Sequence, residues 1–293
     1  MQKMLVVYNP YSRNKYKKKV DKIEQVISKK FEYDIYHTEG PKSITNYIKN
    51  NGEKYDVILA LGGDGTVNET VNGIMLLEKK PRLAIMPFGT CNDIARSLGL
   101  KSVNKALKMI ENDSYRHQNV FKVNDSYFVY GLATGGVSNI SYRVAREQKK
   151  YLGKNAYYLN TIKAVFEKNP KIDLTIDGGK RHIEDTFYLM LALNTRYLAG
   201  VRLKGGKKNY NDSKLHVVLF KKQHRLQGFI SFALFVLFGR VNKNMVTFDA
   251  TELSIRCQEG TVFNTDGEAN EGNTELDIIS INDELEVYAK ADR

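Results

Sequence analysis

Two short stretches carry residue types suited to phosphate and proton chemistry. Leu61-Gly62-Gly63-Asp64-Gly65-Thr66-Val67-Asn68-Glu69 places one carboxylate among three glycines. Glycine lets a backbone approach a ligand where a Cβ would intervene, and amides at a helix start suit a phosphate. A carboxylate beside phosphates requires a cation between them, most often Mg²⁺. The plainer reading is a tight turn with Asp64 as a local cap. Far downstream, Phe263-Asn264-Thr265-Asp266-Gly267-Glu268-Ala269 sets two acids either side of a glycine. Such a pair can serve as a base, Asp266, and its electrostatic modulator, Glu268. Asp-Gly is equally a strong hairpin signal.

The elements around the first stretch read as strand, turn and helix. Tyr55 to Leu61 is a short apolar run with β-branched residues, a buried strand. Val67, Val71, Ile74 and Leu77 then recur at helical spacing. The pattern repeats around it. Leu5 to Tyr8 is a strand ending in Asn9-Pro10-Tyr11-Ser12, with a helix expected from about Tyr16 to Lys29. Ser12 and the free amides of that turn can face a phosphate. Arg13 either reaches a phosphate or is simply exposed. Tyr33 to His37 is a second strand, followed by Thr38, an expected N-cap for a helix around Ser43 to Lys49. Arg82 to Pro87 is a fourth strand, leading into Phe88-Gly89-Thr90-Cys91-Asn92-Asp93-Ile94-Ala95-Arg96, and 101–114 reads as a further helix. Strands alternating with helices make an α/β domain, whose ligand crevice lies beyond the carboxyl ends of the strands.

After Ser114 the pattern changes to short strands with turn signals. Arg116 to Val123 and Tyr127 to Leu132 read as strands joined at Asn124-Asp125, and the domain boundary is expected at 123/124. Tyr130 to Val137 reads as a Gly-rich crossing into a helix at 138–147, with another helix at 156–166. Strands are expected at Lys171–Ile176, Thr186–Leu193, Leu215–Phe220, Thr251–Cys257, Leu276–Ile279 and Leu285–Ala289. The second domain, 124–293, is therefore expected to be a mainly antiparallel β-sandwich, with the extreme C-terminus packing back on the first. Gly228 to Phe238 is intensely apolar but too short to span a bilayer. It reads as a buried helix, an interfacial element or a strand.

Gly62-Gly63-Asp64-Gly65-Thr66, followed by Asn68-Glu69 and Asn72-Gly73, resembles the nucleotide-binding signature of the diacylglycerol kinase catalytic family. That family includes bacterial soluble diacylglycerol kinases and sphingosine kinases, and the NAD kinases share a shorter form of the motif. Pro87 to Arg96 is similar to the family's second signature, Leu152-Gly153 with Ala156-Tyr157 to a further element, and Asp266-Gly267-Glu268 to its catalytic motif. The resemblance implies an NAD kinase-like first domain with a Rossmann-like nucleotide site. It implies ATP held by Asn9, Pro10, Tyr11, Ser12, Arg13, Thr38, Gly62, Gly63, Asp64, Gly65, Thr66, Val67, Asn68, Thr90 and Asp93. It also implies Mg²⁺ at Asp64, directly or through water. Asp93 would face cation or substrate, with Asn92 tying the loop instead. The lipid hydroxyl, that of diacylglycerol in a reaction giving phosphatidic acid, would enter an interdomain cleft and lose its proton to Asp266. A structural Mg²⁺ is implied at Asp212 with the carbonyls of Leu215 and Val217. The chain departs from the pattern at Arg13 and Ser213, where the family shows Gly, and in lacking a Pro within 199–213. A kinase for a sphingoid base or polyprenyl alcohol, or a non-catalytic lipid-binding protein with a kinase fold, stays open. An NAD kinase should lack the Asn92-Asp93-x-Ala95-Arg96 and Asp266-Gly267-Glu268 signatures.

Composition sets the remaining bounds. A chain of 293 residues suggests about two domains, and 42% apolar residues exclude general disorder. Two cysteines make no metal site alone and suit a reducing cytoplasm. The start reads as a strand rather than a secretion signal. Net charge is +12, with eight Lys/Arg against one acid in 202–225, and three Lys/Arg against twelve acids in 247–293. A basic patch can serve nucleic acid, anionic lipid or phosphorylated substrates. No zinc finger, helix-turn-helix or RNP-like run supports nucleic acid. The expected partners are thus ATP, a hydroxyl lipid and an anionic membrane surface, for a cytoplasmic, peripherally membrane-associated protein. A homodimer is left open.

Overall fold

Near-continuous apolar runs become the central strands of the first of two units. The computed structural model describes residues 1–8, 10–135, 171–198, 200–204, 212–270 and 272–291, with backbone alone at 10–16, 201, 225, 269 and 270. One unit comprises Met1–Val129 with Ile281–Arg293, the other Tyr130–Ser280. In the first, β1 (Gln2–Tyr8), α1 (Pro10–Ile27), β2 (Phe31–His37), α2 (Ser43–Asn51), β3 (Val57–Gly62), α3 (Asp64–Met75), β4 (Arg82–Pro87), α4 (Asp93–Ser97) and α5 (Val103–Glu111) alternate. The strands are parallel in the order β2-β1-β3-β4. β3 is buried along its whole length, as a strand covered on both faces should be. The register pairs Tyr8 with both His37 and Leu61, and Gly62 with Pro87. The chain therefore leaves all four strands at one edge of the sheet, with the order reversing between β1 and β3, where such sheets bind ligands.

The hairpin of β5 (Tyr115–Val123) and β6 (Ser126–Phe128) also belongs to this unit. Asn72 of α3 ties it down: its side chain accepts from the Tyr127 amide at 2.8 Å and donates to the Tyr127 carbonyl at 2.9 Å. The division of the chain thus falls after Val129 rather than at 123/124. The C-terminal segment returns to pair Val287 with Leu83. Arg82 latches it through Glu286 at 2.8 Å while stacking 3.8 Å over the Tyr115 ring.

The second unit contains β7 (Gly131–Gly135), β8 (Ile172–Gly178), β9 (Arg181–Leu193), β10 (Tyr197–Leu198), β11 (Val201–Arg202), β12 (Leu215–Lys221), α6 (Arg225–Phe238), β13 (Met245–Ala250), β14 (Glu252–Cys257), β15 (Phe263–Thr265) and β16 (Glu268–Asn270). It also holds the beginning of β17 (Glu275–Tyr288). Every ladder within it is antiparallel. The long β9 pairs with β8 over its first half and with β7 and β12 over its second. α6 packs on this sheet through Phe232, Phe235 and Val236.

Several local expectations shift. α1 begins at Pro10, not near Tyr16, because proline is pre-set for the first helical position. α3 begins at Asp64 rather than Val67, and α5 is Val103–Glu111, capped by Ser102 accepting from the Lys105 amide. Residues 131–135, expected as a flexible crossing, form a fully buried strand. The run Tyr127–Leu132 is split, its ends belonging to β6 and β7. The expected helices at 138–147 and 156–166 lie outside the described residues, as does the Leu152–Tyr158 element. Gly228–Phe238 is helical, with one face buried and the other exposed.

Ser213 adopts a left-handed φ of 65°. An L side chain costs about 1–2 kcal/mol there, partly offset by the greater chain entropy glycine loses on folding. Ser213→Gly is therefore expected to stabilise the chain by about 0.5–1 kcal/mol in denaturant unfolding. A fall would mean that the hydroxyl contributes more than the strain costs.

Candidate active site

The two glycine-bearing turns interlock backbone to backbone. The Gly62 carbonyl accepts from the amides of Phe88 at 2.9 Å and Gly89 at 3.2 Å. A Cβ on Gly89 would lie 2.4 Å from the Gly63 Cα, and one on Gly62 would lie 2.3 Å from Thr66 Oγ1. Asn92 folds the second turn by adopting φ 53°. Its Oδ1 accepts from the Gly89 amide at 2.8 Å and its Nδ2 donates to the Gly89 carbonyl at 2.9 Å. Gly63 caps α3 with extended backbone and no side-chain bond. The first helical bond runs from the Val67 amide to the Gly63 carbonyl at 3.1 Å, so the Gly65 and Thr66 amides have no acceptor inside the helix. A helix start of this kind, approached by glycine backbone, fits a phosphate chain.

Asp64 joins the turns as well. Its Oδ1 accepts from the Ile94 amide at 3.0 Å, capping α4 from a different element. Burial pushes its carboxyl above the usual carboxylate range, opposed by the amides of Ile94, Asn92 and Asp93. A buried carboxylate in that state is eased by a cation, so Asp64 fits Mg²⁺ chemically. Asp64→Ala leaves the amide of the buried Ile94 without this acceptor, an expected loss of about 1–3 kcal/mol. A raised folded pKa means that stability falls as pH rises from the ordinary carboxylate range through the folded value. The deficit of the alanine variant, measured by unfolding in chelator, should therefore widen as pH is lowered through that interval. A deficit that narrows would reverse the sign of the shift.

The structure brings some expected residues to this edge and gives others different work. Asp93 opens α4 and is 1% exposed, while Thr90 is exposed in the turn before it. Gly65, Thr66 and Val67 form the first turn of α3. Pro10, Tyr11, Ser12 and Arg13 form the first turn of α1, and Asn9 lies outside the described residues. Thr38 does not cap α2. Its hydroxyl meets Ser43 Oγ at 2.9 Å and the Gly40 carbonyl at 3.3 Å, whereas Glu69 of α3 accepts from the Ile44 amide in the first turn of α2. Asn68 donates to the Tyr127 carbonyl at 3.2 Å, so it shares with Asn72 the anchoring of the β5–β6 hairpin. Sequence reasoning missed the roles of Glu69 and Asn72, although both lie in the signature. Gly73 has a packing reason: a Cβ there would lie 2.7 Å from Ile48 Cβ.

In the second unit, Asp266 and Gly267 form a two-residue hairpin turn with φ 50° and 93°, pairing Thr265 with Glu268. Yet Asp266 is only 1% exposed. Its Oδ1 accepts from the amides of Tyr130 at 2.8 Å and Gly131 at 3.1 Å, and its own amide donates to the Gly131 carbonyl at 2.9 Å. The hairpin thus presses a carboxylate against the start of β7. Glu268, its expected companion, is exposed. Asp212 is partly buried and precedes β12. Leu215 opens β12, but Val217 is paired on both sides, with Ala192 and Phe248. The Val217 carbonyl therefore faces a neighbouring strand, and a cation would have to share it. Among the described residues no group of three or more His, Cys, Asp or Glu could hold a metal.

An α/β unit with interlocked phosphate-type turns, joined in one chain to an antiparallel unit carrying a buried carboxylate, defines a class that the comparisons identify. The profile of the diacylglycerol kinase catalytic domain matches residues 3–123. A diacylglycerol kinase of Bacillus subtilis (strain 168) is 29% identical over 276 residues, 92% of this chain and 90% of that protein. One of Staphylococcus haemolyticus is 30% identical over 224 residues, 74% of this chain and 67% of that protein. A crystal structure of a diacylglycerol kinase from Bacillus anthracis superposes with a TM-score of 0.83 at 29% identity, covering 99% of this chain and 97% of that one. An NAD kinase from Archaeoglobus fulgidus, solved with ATP, gives a TM-score of 0.51 at 12% identity over 98% of this chain and 94% of that one, a likeness of fold alone. The chain belongs to the diacylglycerol kinase catalytic-domain family.

Proposed function

We propose that the protein is an ATP-dependent lipid kinase that transfers the γ-phosphoryl of ATP to the hydroxyl of diacylglycerol, giving phosphatidic acid. The observation that carries this reading is the meeting of Gly63 and Gly89 at the carboxyl ends of β3 and β4, where a Cβ on Gly89 would collide with the Gly63 Cα and one on Gly63 would lie 3.0 Å from the Gly89 Cα. Backbone amides at that edge bind the phosphates, with Thr38, Thr90, Asn68 and the first turn of α1 around the nucleotide. Bound Mg²⁺ would screen the phosphate charge, with Asp64 holding it directly or through water and Asp93 opening α4, the helix whose Ile94 amide donates to Asp64. Asp266 accepts the proton of the lipid hydroxyl as its oxygen bonds to phosphorus and the bond to ADP breaks. Glu268 adds negative charge near that base. Asp212 and the Leu215 carbonyl would hold a second, structural Mg²⁺. No helix among the described residues is long and apolar enough to cross a membrane. The run 202–225, with eight Lys/Arg against one acid, fits access to lipid by peripheral contact with an anionic surface.

Incubation of the purified protein with γ-labelled ATP, Mg²⁺ and dispersed hydroxyl lipids tests the reading. Label is expected in diacylglycerol. Label confined to a sphingoid base or polyprenyl alcohol would overturn the substrate. ATP binding with no labelled lipid would favour a non-catalytic lipid-binding protein.

A further inference from the structure

α6 is apolar on two opposite faces. Its inner face lies in the core with Tyr188, Leu191, Val218 and Phe220, and the Tyr188 hydroxyl donates to the Gly228 carbonyl at 3.0 Å. Leu226, Ile230 and Leu237 are spaced by four and seven residues, which puts them on one stripe. They are 62%, 46% and 54% exposed, and Phe238 (64%) and Val241 (51%) extend the patch. Five of the nine exposed large hydrophobic residues among those described fall within 226–241. A helix apolar all round is normally covered, and a contiguous exposed patch marks an interaction site.

Charge and shape select the cover. Residues 213–248 contain six Lys/Arg and no Asp or Glu. Arg240 and Lys243, just past the end of α6, are exposed, and the Arg240 guanidinium lies 6.0 Å from the Phe238 ring. Beside Ile230 is a hollow of about 460 Å³ lined by Gln223, Gln227, Ile230, Ser231, Lys243 and Asn244. Its polar wall is pre-organised: Asn242 Nδ2 donates to Ser231 Oγ at 2.8 Å and Asn244 Nδ2 to Gln223 Oε1 at 2.8 Å. Amides, a hydroxyl and one ammonium, without an acid, at the rim of an apolar face match a phosphate-bearing glycerol headgroup whose acyl chains lie against the face. A second copy of the chain fits less well, since a twofold contact apposes a patch to itself and would bring these cations together with no acid from the segment.

We propose that the outer face of α6 docks on an anionic phospholipid bilayer, the hollow beside Lys243 taking a lipid headgroup. The purpose of such docking rests on the lipid-kinase reading, but its measurement needs no turnover. The test is sedimentation of the full chain, without ATP, with vesicles of phosphatidylglycerol and phosphatidylcholine or of phosphatidylcholine alone. The variants are Leu237→Ser with Phe238→Ser, and Lys243→Glu; all three side chains are exposed, and thermal melts check that the fold is kept. Each variant should bind anionic vesicles about tenfold more weakly or worse, from lost apolar burial or reversed charge. High salt should weaken wild-type binding, and free glycerol phosphate should not release it. Wild-type affinity in both variants, or release by free glycerol phosphate, would overturn the proposal. So would light scattering showing a dimer that the double variant converts to a monomer with vesicle binding intact. Face-dependent vesicle binding with no lipid phosphorylated would uphold docking and overturn the kinase reading. Phosphorylation of diacylglycerol in detergent without face-dependent binding would do the reverse.

Discussion

Asp266→Asn is expected to lower kcat by about 10²-fold or more, the usual worth of a positioned general base, while nucleotide affinity changes far less. The geometry makes this substitution clean. Asp266 Oδ1 accepts from two backbone amides, and the asparagine Oδ1 can accept both. Its φ of 50° is a conformation that asparagine tolerates nearly as well as aspartate. Charge and proton-accepting capacity are lost while both of these bonds can be kept. Asp266→Ala would be harder to interpret, because removing a buried acceptor of two amides costs about 1–3 kcal/mol of stability. Single-turnover kinetics on diacylglycerol, beside calorimetric titration with ATP, separate chemistry from binding. Near-normal turnover by the asparagine variant would remove Asp266 from the mechanism. Lost nucleotide binding would give it a structural or cation-holding role and move the search for the base to Glu268 or Asp93. Glu268 is exposed, so Glu268→Gln should have the smaller effect of the two.

The first unit was legible because its strands are short, apolar and followed by glycine turns. Periodicity finds such elements, and their alternation implies a parallel sheet. Periodicity does not show that one turn serves another. The Asp64 carboxylate caps α4 across 30 residues of chain, and Glu69 caps the start of α2. Both look like local features of their own helix until the sheet register aligns the strand ends. The same limit applied to 131–135. Two glycines suggested a flexible crossing, but β9 and β15 pair with that segment on both sides. Tertiary pairing overrode a weak β-propensity. At Asp266 the residues supported two readings, hairpin and base, and the fold shows the hairpin to be what buries the carboxylate. α6 was ambiguous for a different reason. Its composition is apolar on every side, so no hydrophobic periodicity distinguishes the covered face from the exposed one.

Gly89→Ala is expected to weaken nucleotide binding strongly. The added Cβ would lie 2.4 Å from the Gly63 Cα and 2.7 Å from Asn92 Oδ1. The first contact is with backbone, so no rotamer change relieves it. Ordinary contact begins about 1 Å farther out, so the two turns must separate by roughly that amount or the strand ends must twist. Either response breaks the bonds by which the Gly62 carbonyl holds the Phe88 and Gly89 amides. Overpacking of this kind costs about 1–3 kcal/mol or more. A displacement of about 1 Å at a positioning loop can cost 10²-fold, which is the loss expected in ATP affinity. Gly40→Ala supplies the control, since nothing lies within 4 Å of its added Cβ and its φ is not positive. Isothermal titration of both variants with ATP, each after a thermal melt, reads the two effects separately. A Gly89→Ala chain that melts lower but binds ATP like the wild type would show that turn contact supports the fold without shaping the nucleotide site. Equal weakening by Gly40→Ala would show that the loss does not come from the Gly63–Gly89 approach at all.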